Sequence, residues 1–209
     1  MDRGDEGSTL LEVVVGMSIM SVFLATFTAA IVTLTRTQNR AQALTTSAGQ
    51  LNTAFQRLDS TIRYAAAISA PGTTGPAGAW YVEYLTTATG KQVCTQLRVD
   101  AAARQLQTRT WQLTDTGSTT PTAWVPLASS VTNGSALPSS TGVVPFVLTY
   151  RDGGVAFERL TVQLVATTGN PAVTSRSAVT FTALNSPDAA ALARASSTAP
   201  TTVCPGRRP

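Results

Sequence analysis

The sequence predicts an α+β protein in which one long N-terminal helix precedes an antiparallel β-sheet. Residues 8–69 contain no proline and carry apolar side chains at helical spacings, and beyond residue 78 the apolar side chains alternate with a period of two. Short connectors with turn residues separate the alternating segments, which favours antiparallel pairing. We therefore expect a helix whose first half is transmembrane and whose second half packs on the sheet.

Length and composition suit one domain plus an appendage. The chain has 209 residues, of which 43% are hydrophobic and only 12% are charged. Low charge with abundant Thr, Ser and Ala is typical of exported surface proteins. The net charge of +4 comes from scattered arginines, adjacent only at 207 and 208, and one lysine, and no basic run is interleaved with aromatic residues. Nucleic acid is therefore not an expected partner.

The first element is a candidate membrane span. No charged residue occurs from position 13 to position 35, and a helix of that length crosses the ~30 Å hydrocarbon core of a bilayer. A secretory signal peptide would have a basic start, a shorter apolar region and a cleavage site after it. Here the helical pattern continues past Arg36 and Arg40 instead. We predict a membrane helix over residues 8–35.

Residues 36–69 predict an amphipathic continuation of the same helix. Apolar residues recur there at alternating spacings of four and three, which is one stripe on a polar helix. The stripe is expected to pack on the chain's own sheet; self-association as a coiled coil is the alternative, over barely three heptads. The residues expected to pack are Leu44, Leu51, Phe55, Leu58 and Ile62, with Ala48 and Ala65 on the same stripe.

Alternating segments predict an antiparallel β domain over residues 70–184. The predicted strands are 80–85, 92–99, 105–113, 145–150, 155–166 and 177–184. Residues 114–142 are rich in Thr, Ser and Pro and predict a long surface loop with one short strand near 124–127. The tail, residues 185–209, has the composition of a mobile segment unless something tethers it.

The two cysteines offer such a tether. Cys94 lies in a predicted strand and Cys204 in the tail, five residues before the end. Two buried structural thiols are the alternative, but the sequence around Cys204 does not support a core. We predict a Cys94–Cys204 disulfide, provided that the domain lies in an oxidising compartment.

The start of the chain resembles the signal of type IV prepilins. The motif is GSTLLE, residues 7–12, followed directly by the apolar helix: a short leader (residues 1–7) that ends in Gly7, a cut before Ser8, and Glu12 as the fifth residue of the mature chain. The match is specific because it requires four features together: the glycine, the cut after it, an acid at a fixed distance from the cut, and the apolar helix. Three features depart from the family: Ser8 replaces the favoured Phe, no proline interrupts the helix, and the leader is acidic.

The resemblance implies a minor pilin or a J-type minor pseudopilin. A prepilin peptidase would remove the leader on the cytoplasmic side and methylate the new amine. The expected partners are other pilin or pseudopilin subunits, that peptidase, the inner-membrane assembly platform and membrane lipid. The resemblance also implies a single-pass protein of the cytoplasmic membrane whose C-terminal domain lies outside the cytoplasm, with the assembled form in a fibre at the cell surface or envelope.

A charged side chain at Glu12, beside a membrane-length apolar helix, is energetically unfavourable and needs an explanation. A carboxylate near hydrocarbon loses hydration and needs a proton or a cation. In the pilin-like interpretation that cation is the amine of a neighbouring subunit's first residue, which favours one axial stagger between helices. The alternative is an interfacial acid that the helix dipole stabilises.

Enzymatic functions are disfavoured, and no metal or cofactor is expected. The chain has no histidine, which excludes imidazole-based triads and the usual zinc sites. The acids at 100, 115, 152 and 158 lie in no catalytic motif. The competing function from another class is a single-pass anchored extracytoplasmic binding module that does not assemble.

Overall fold

The computed structural model describes residues 10–74, 79–87, 90–114, 117–133, 143–150, 156–169, 172–186 and 203–204. Two compact units divide the chain, Met1–Ala43 and Leu44–Pro209. The described fold is α+β, with one long apolar N-terminal helix and antiparallel sheets. Leader residues 1–7 and Ser8 lie outside the described residues, so the predicted cleavage site has no structural description.

Helix α1 spans Leu10–Ile62. The predicted end at Ser69 is wrong, because two turn residues follow Ile62 and strand β1 (Ala65–Ile68) begins. The three alanines of β1 favour a helix by intrinsic propensity. Pairing with strand β3 (Ala79–Thr86) overrides that preference, since β1 satisfies the backbone groups along one edge of β3. The β domain therefore starts at Ala65 and not at residue 70.

The larger sheet has seven strands, all paired in the antiparallel sense. Besides β1 and β3, these are β2 (Gly72–Thr74), β4 (Val93–Asp100), β5 (Gln105–Thr114), β6 (Gly117–Ser118) and β7 (Val125–Ser129). The strand order is β1-β3-β4-β5-β6. Strands β1 and β2 pair with different parts of the same edge of β3, and β6 and β7 pair with different parts of the same edge of β5, so each outer edge is shared by two short strands.

A second, three-stranded sheet has the order β10-β9-β8 and was not expected, because the sequence pattern gave no sign of a division. Its strands are β8 (Phe146–Thr149), β9 (Arg159–Thr168) and β10 (Val173–Thr182). Asn133 follows β7 and is bonded to the backbone of β9. Its buried side chain accepts a hydrogen bond from the Val165 N–H at 2.8 Å and donates one to the Gln163 carbonyl at 2.8 Å.

One buried cluster joins the helix stripe to both sheets. Phe55 of α1 lies 6.3 Å from Phe181 of β10, measured between ring centroids. Of the predicted packing residues, Leu44 is only partly buried, and Ala48 is exposed. The other five are buried: Leu51, Phe55, Leu58, Ile62 and Ala65, the last of which lies in β1. The stripe thus contributes to the core of its own chain.

The six longer strands predicted from the alternation are present, with shifted ends. The predicted strand 155–166 begins at Arg159, because Glu158 turns into the core, where its carboxylate accepts the Ile68 N–H at 3.1 Å. The predicted strand 177–184 begins earlier, at Val173, since β10 continues its pairing with β9 back to that residue. The short predicted strand near 124–127 is β7.

Candidate functional site

The first part of α1 is an apolar segment that the described structure leaves uncovered. An 18-residue window of this helix has a mean hydropathy of 2.1, and none of that window is buried, so the helix is long and apolar enough to cross a membrane. Leu10 is 82% exposed and Phe23 is 62% exposed. Exposed apolar surface of this extent marks contact with lipid or with other proteins. The "uncovered segment" below means residues 10–35.

Apolar side chains surround the uncovered segment on every face. A helix that packs on its own domain has one apolar stripe, whereas a helix that is apolar all round lies in a membrane or inside a larger assembly. The exposed apolar residues are Leu10, Leu11, Val13, Val14, Val15, Met17, Ile19, Met20, Val22, Phe23, Leu24, Phe27, Ile31, Val32 and Leu34.

Five of the six hydroxyl side chains of the uncovered segment donate hydrogen bonds within the helix itself. Ser18 donates to the Val14 carbonyl at 2.7 Å, and Thr33 donates to the Ala29 carbonyl at 2.9 Å. Ser21 likewise donates to Met17. Such bonds to the preceding turn remove the need for water or another chain as a partner. The segment can therefore enter hydrocarbon although it contains several Ser and Thr residues.

Glu12 is the single charge of this segment. It is exposed and lies in the first turn of the described helix, where the helix dipole favours a negative charge. Among the described residues, ion pairs join Asp59 to Arg63 and Asp100 to Arg98, and Glu12 takes part in none. The next charge along the helix is Arg36, roughly 36 Å away at the standard rise of ~1.5 Å per residue. A cation for Glu12 thus has to come from outside the described part of its own helix.

The predicted disulfide between Cys94 and Cys204 is present. The two sulfur atoms lie 2.06 Å apart, and the bond closes a sequence separation of 110 residues. Both cysteines are buried beside the indole of Trp111. Leu85, Leu113 and Val203 pack around them. The bond therefore attaches the described part of the tail to the face of the larger sheet that α1 does not cover.

A buried polar row crosses the same face and was missed by sequence reasoning. Glu83, Gln96 and Arg109 are paired neighbours on β3, β4 and β5. The Gln96 amide donates to Glu83 at 2.7 Å, and the Arg109 Nε donates to Gln96 at 2.8 Å. Ser69 donates to the second Glu83 oxygen at 2.5 Å. Each buried polar group has partners, so the row is a structural network.

Trp124 covers the end of this row. The Arg98 and Arg109 guanidinium carbons lie 4.1 Å and 4.3 Å from the centroid of its ring, within cation–π range. Arg98 also lies 3.3 Å from Asp100 and donates to Gln107 at 2.6 Å. Both guanidinium groups thus hold the segment before β7 against the sheet.

The opposite face of the sheet, towards α1, contains a cavity of about 350 Å³. Tyr84 lies at its base, and its phenol is 2.8 Å from the Thr61 hydroxyl of α1. Burial raises the pKa of the Tyr84 phenol above its ordinary value of 10.0, and hydrogen bonds from Thr61 and Thr95 oppose that rise. The cavity is lined by Arg57, Leu58, Ser60, Thr61, Tyr84, Thr95, Thr108, Arg109, Thr110, Thr122, Val125 and Leu127.

The sequence contained one signal for this cavity. Thr95, Thr108 and Thr110 occupy core-facing positions of β4 and β5, where an all-apolar face would carry larger residues. The alternation predicts the strands, and the hydroxyl residues on its inward side are the signal that points to a cavity. Within the described residues, no group of three or more His, Cys, Asp or Glu residues could hold a metal ion.

No protein-family description, no curated protein and no solved structure matches the chain. The chain is therefore characterised by its own features: a membrane-length apolar helix with an acid in its first turn, antiparallel sheets, and a disulfide that attaches the tail.

Proposed function

We propose that the chain is a minor pilin or pseudopilin, a structural subunit of a type IV pilus-like or type II secretion-like fibre. The observation that carries this proposal is the uncovered segment, apolar on every face with Glu12 in its first turn. Lipid would cover the segment while the subunit is stored in the cytoplasmic membrane. Helices of neighbouring subunits would cover it in the fibre, so one surface serves both states.

Glu12 gives the assembled state its register. In a poorly hydrated bundle an uncompensated carboxylate is costly, and the described part of its own helix offers no cation nearby. After cleavage before Ser8, a neighbouring subunit supplies a free amine at its own helix start. Pairing that amine with Glu12 favours one axial offset between subunits.

The disulfide supports an orientation for the β domain. Disulfides persist in oxidising compartments and are rare in the cytosol. A domain that relies on the Cys94–Cys204 bond belongs outside the cytoplasm, and a single membrane crossing then leaves Gly7 on the cytoplasmic side. That is the side on which a prepilin peptidase acts, and the inner-membrane assembly platform would receive the processed subunit there.

A second candidate function is an anchored extracytoplasmic binding module that never assembles. The cavity beside Tyr84 favours it, because a purely structural subunit has no need of one. The two candidates differ in the fate of the N-terminus and in the presence of the protein in fibres.

Intact-mass analysis of the membrane-extracted protein tests the proposal. We expect a chain that begins at Ser8 with a methylated amine, because Gly7 has no side chain to obstruct the cut. Gly7→Val should retain the leader, whereas Thr9→Ala, two residues further on, should be processed normally. Retention of residues 1–7 by the unaltered chain, in cells with a working prepilin peptidase, would remove the pilin assignment and leave the anchored module.

A further inference from the structure

The cavity beside Tyr84 forms where the inward face of the larger sheet changes character. One row of paired residues on that face is apolar: Trp80, Val99 and Leu106. Four positions along the strands, the corresponding row is Tyr84, Thr95 and Thr110. Threonine is shorter than leucine and carries a hydroxyl. The replacement therefore leaves both space and hydrogen-bonding groups between the sheet and the last turns of α1.

The walls of the cavity combine apolar surface with a few polar groups. Leu58 of α1 is buried, and Leu127 and the half-exposed Val125 of β7 lie across from it. The Tyr84 phenol and the Thr61 hydroxyl lie together at 2.8 Å on the inner side. A mostly apolar cavity of this volume with convergent polar groups is at the small end of ordinary ligand sites.

The charge of the lining has one sign. Among the lining residues that the structure describes, it includes Arg57 and Arg109 and no Asp or Glu. The Arg109 guanidinium is engaged with Gln96 and Trp124 on the far face, so Arg57 is the cation available at the opening. Among the described residues, Arg57 takes part in no ion pair, and the neighbouring acid, Asp59, is bound to Arg63 at 2.6 Å. A ligand here gains from one negative group near Arg57.

We infer that this cavity binds a small organic anion with a compact apolar body and one carboxylate. The carboxylate lies at Arg57, and the body lies against Tyr84, Leu58 and Leu127. The phenol is protonated at neutral pH, and when the Thr61 hydroxyl donates to it, the phenol can donate its own hydrogen to an oxygen of the ligand. This inference is independent of fibre assembly, since every lining residue lies in the unit Leu44–Pro209.

Saturation-transfer NMR on the full chain in detergent, with benzoate as the probe, tests the inference. We expect transfer to benzoate at millimolar concentration, weaker transfer to benzamide, which lacks the charge, and little transfer to acetate, which lacks the apolar body. Arg57→Gln should weaken benzoate binding roughly threefold, since an exposed ion pair contributes modestly. Arg40→Gln removes an exposed arginine of the same helix away from the cavity and should change nothing.

Filling the cavity gives the complementary test. Thr110→Phe places a β-compatible aromatic side chain in the space and should abolish benzoate transfer. An unchanged near-ultraviolet spectrum and an intact disulfide would show that this variant is folded. Absence of benzoate transfer to the unaltered chain would overturn the inference. Equal transfer to the unaltered chain and to folded Thr110→Phe, or to Arg57→Gln without any weakening, would also overturn it.

Discussion

The two parts of helix α1 contain similar apolar residues in opposite surroundings. Leu24, in the uncovered segment, is 50% exposed, whereas Leu58, in the packed part, is 2% exposed. Apolar residues occur on all faces of the first part and on one stripe of the second. Periodicity, and not apolar content, thus separates the surface that stays uncovered in the described structure from the surface that forms the chain's own core.

The largest expected effect comes from removing the disulfide, which should destabilise the packed region and leave the uncovered segment unchanged. Replacing both Cys94 and Cys204 by alanine removes a cross-link over 110 residues. The chain-entropy account gives a loss in free energy of unfolding on the order of 4–5 kcal/mol, as an upper figure. Urea unfolding followed by tryptophan fluorescence measures this loss, because Trp111 packs beside the bond.

The uncovered segment should be indifferent to the same change. Carbonate extraction of membranes should recover the double alanine variant in the membrane fraction as fully as the unaltered chain. An unchanged urea midpoint would contradict a stabilising role for the bond. Loss from the membrane fraction would instead show that the two regions depend on one another.

The next largest effect concerns the acid of the uncovered segment. Glu12→Gln keeps the length and helix propensity of the segment and removes only its charge. If Glu12 pairs with a neighbour's amine, the change leaves that amine uncompensated, at a cost of roughly 3–5 kcal/mol in a poorly hydrated site. We expect much less of this variant in sheared fibres, measured relative to the unaltered chain at equal membrane level.

A matched control uses the other acid of the same helix. Asp59→Asn removes an exposed carboxylate whose partner is Arg63, and such surface pairs contribute about 1 kcal/mol or less. Its incorporation into fibres should be near normal. Normal incorporation of Glu12→Gln would show that Glu12 is only a helix-start acid and would favour the anchored module.

A pair of leucine truncations tests the comparison directly. Leu58→Ala should lower the free energy of unfolding of the β domain by about 3 kcal/mol, because it opens a cavity in the buried cluster. Leu24→Ala makes the same chemical change where nothing in the described structure covers the side chain, so domain unfolding should be unaltered. Equal losses from both variants would refute the division of α1 into two regions.

Much of this division could be predicted from the sequence. The uninterrupted apolar run and the later stripe each follow from local periodicity, and so do the longer strands. Local patterns failed where a distant partner decides. The alanines at 65–67 become a strand because β3 is beside them.

The candidate sites divide in the same way. Glu12 and the two cysteines stand out in the sequence because an acid at a helix start and a thiol in a tail are locally unusual. The row from Glu83 to Arg109 and the cavity beside Tyr84 depend on which strands pair and in which register, and the sequence does not state that register. The sequence therefore singles out residues that are unusual by position and does not reveal groups that depend on strand pairing.

The smallest expected effect distinguishes the hydroxyl groups of the two helix parts. Thr33 in the uncovered segment bonds only to its own helix, whereas Thr61 also reaches the Tyr84 phenol. Tyr84→Phe should lower the free energy of unfolding by about 1 kcal/mol at neutral pH, the usual net contribution of one hydrogen bond. Tyr64→Phe, at an exposed tyrosine of the adjacent turn, should have no such effect.

The stability difference between Tyr84→Phe and the unaltered chain should also depend on pH. Burial raises the pKa of the folded Tyr84 phenol, so above pH ~10 the unfolded chain loses this proton first and the folded state keeps it. Stability contributed by the neutral phenol is therefore fully present below pH ~10 and declines as the pH rises further. Tyr84→Phe lacks that decline, so the stability difference between it and the unaltered chain should shrink and then reverse with increasing alkalinity. Parallel unfolding curves for the two proteins across this range would show that Tyr84 ionises as freely in the folded chain as in the unfolded one.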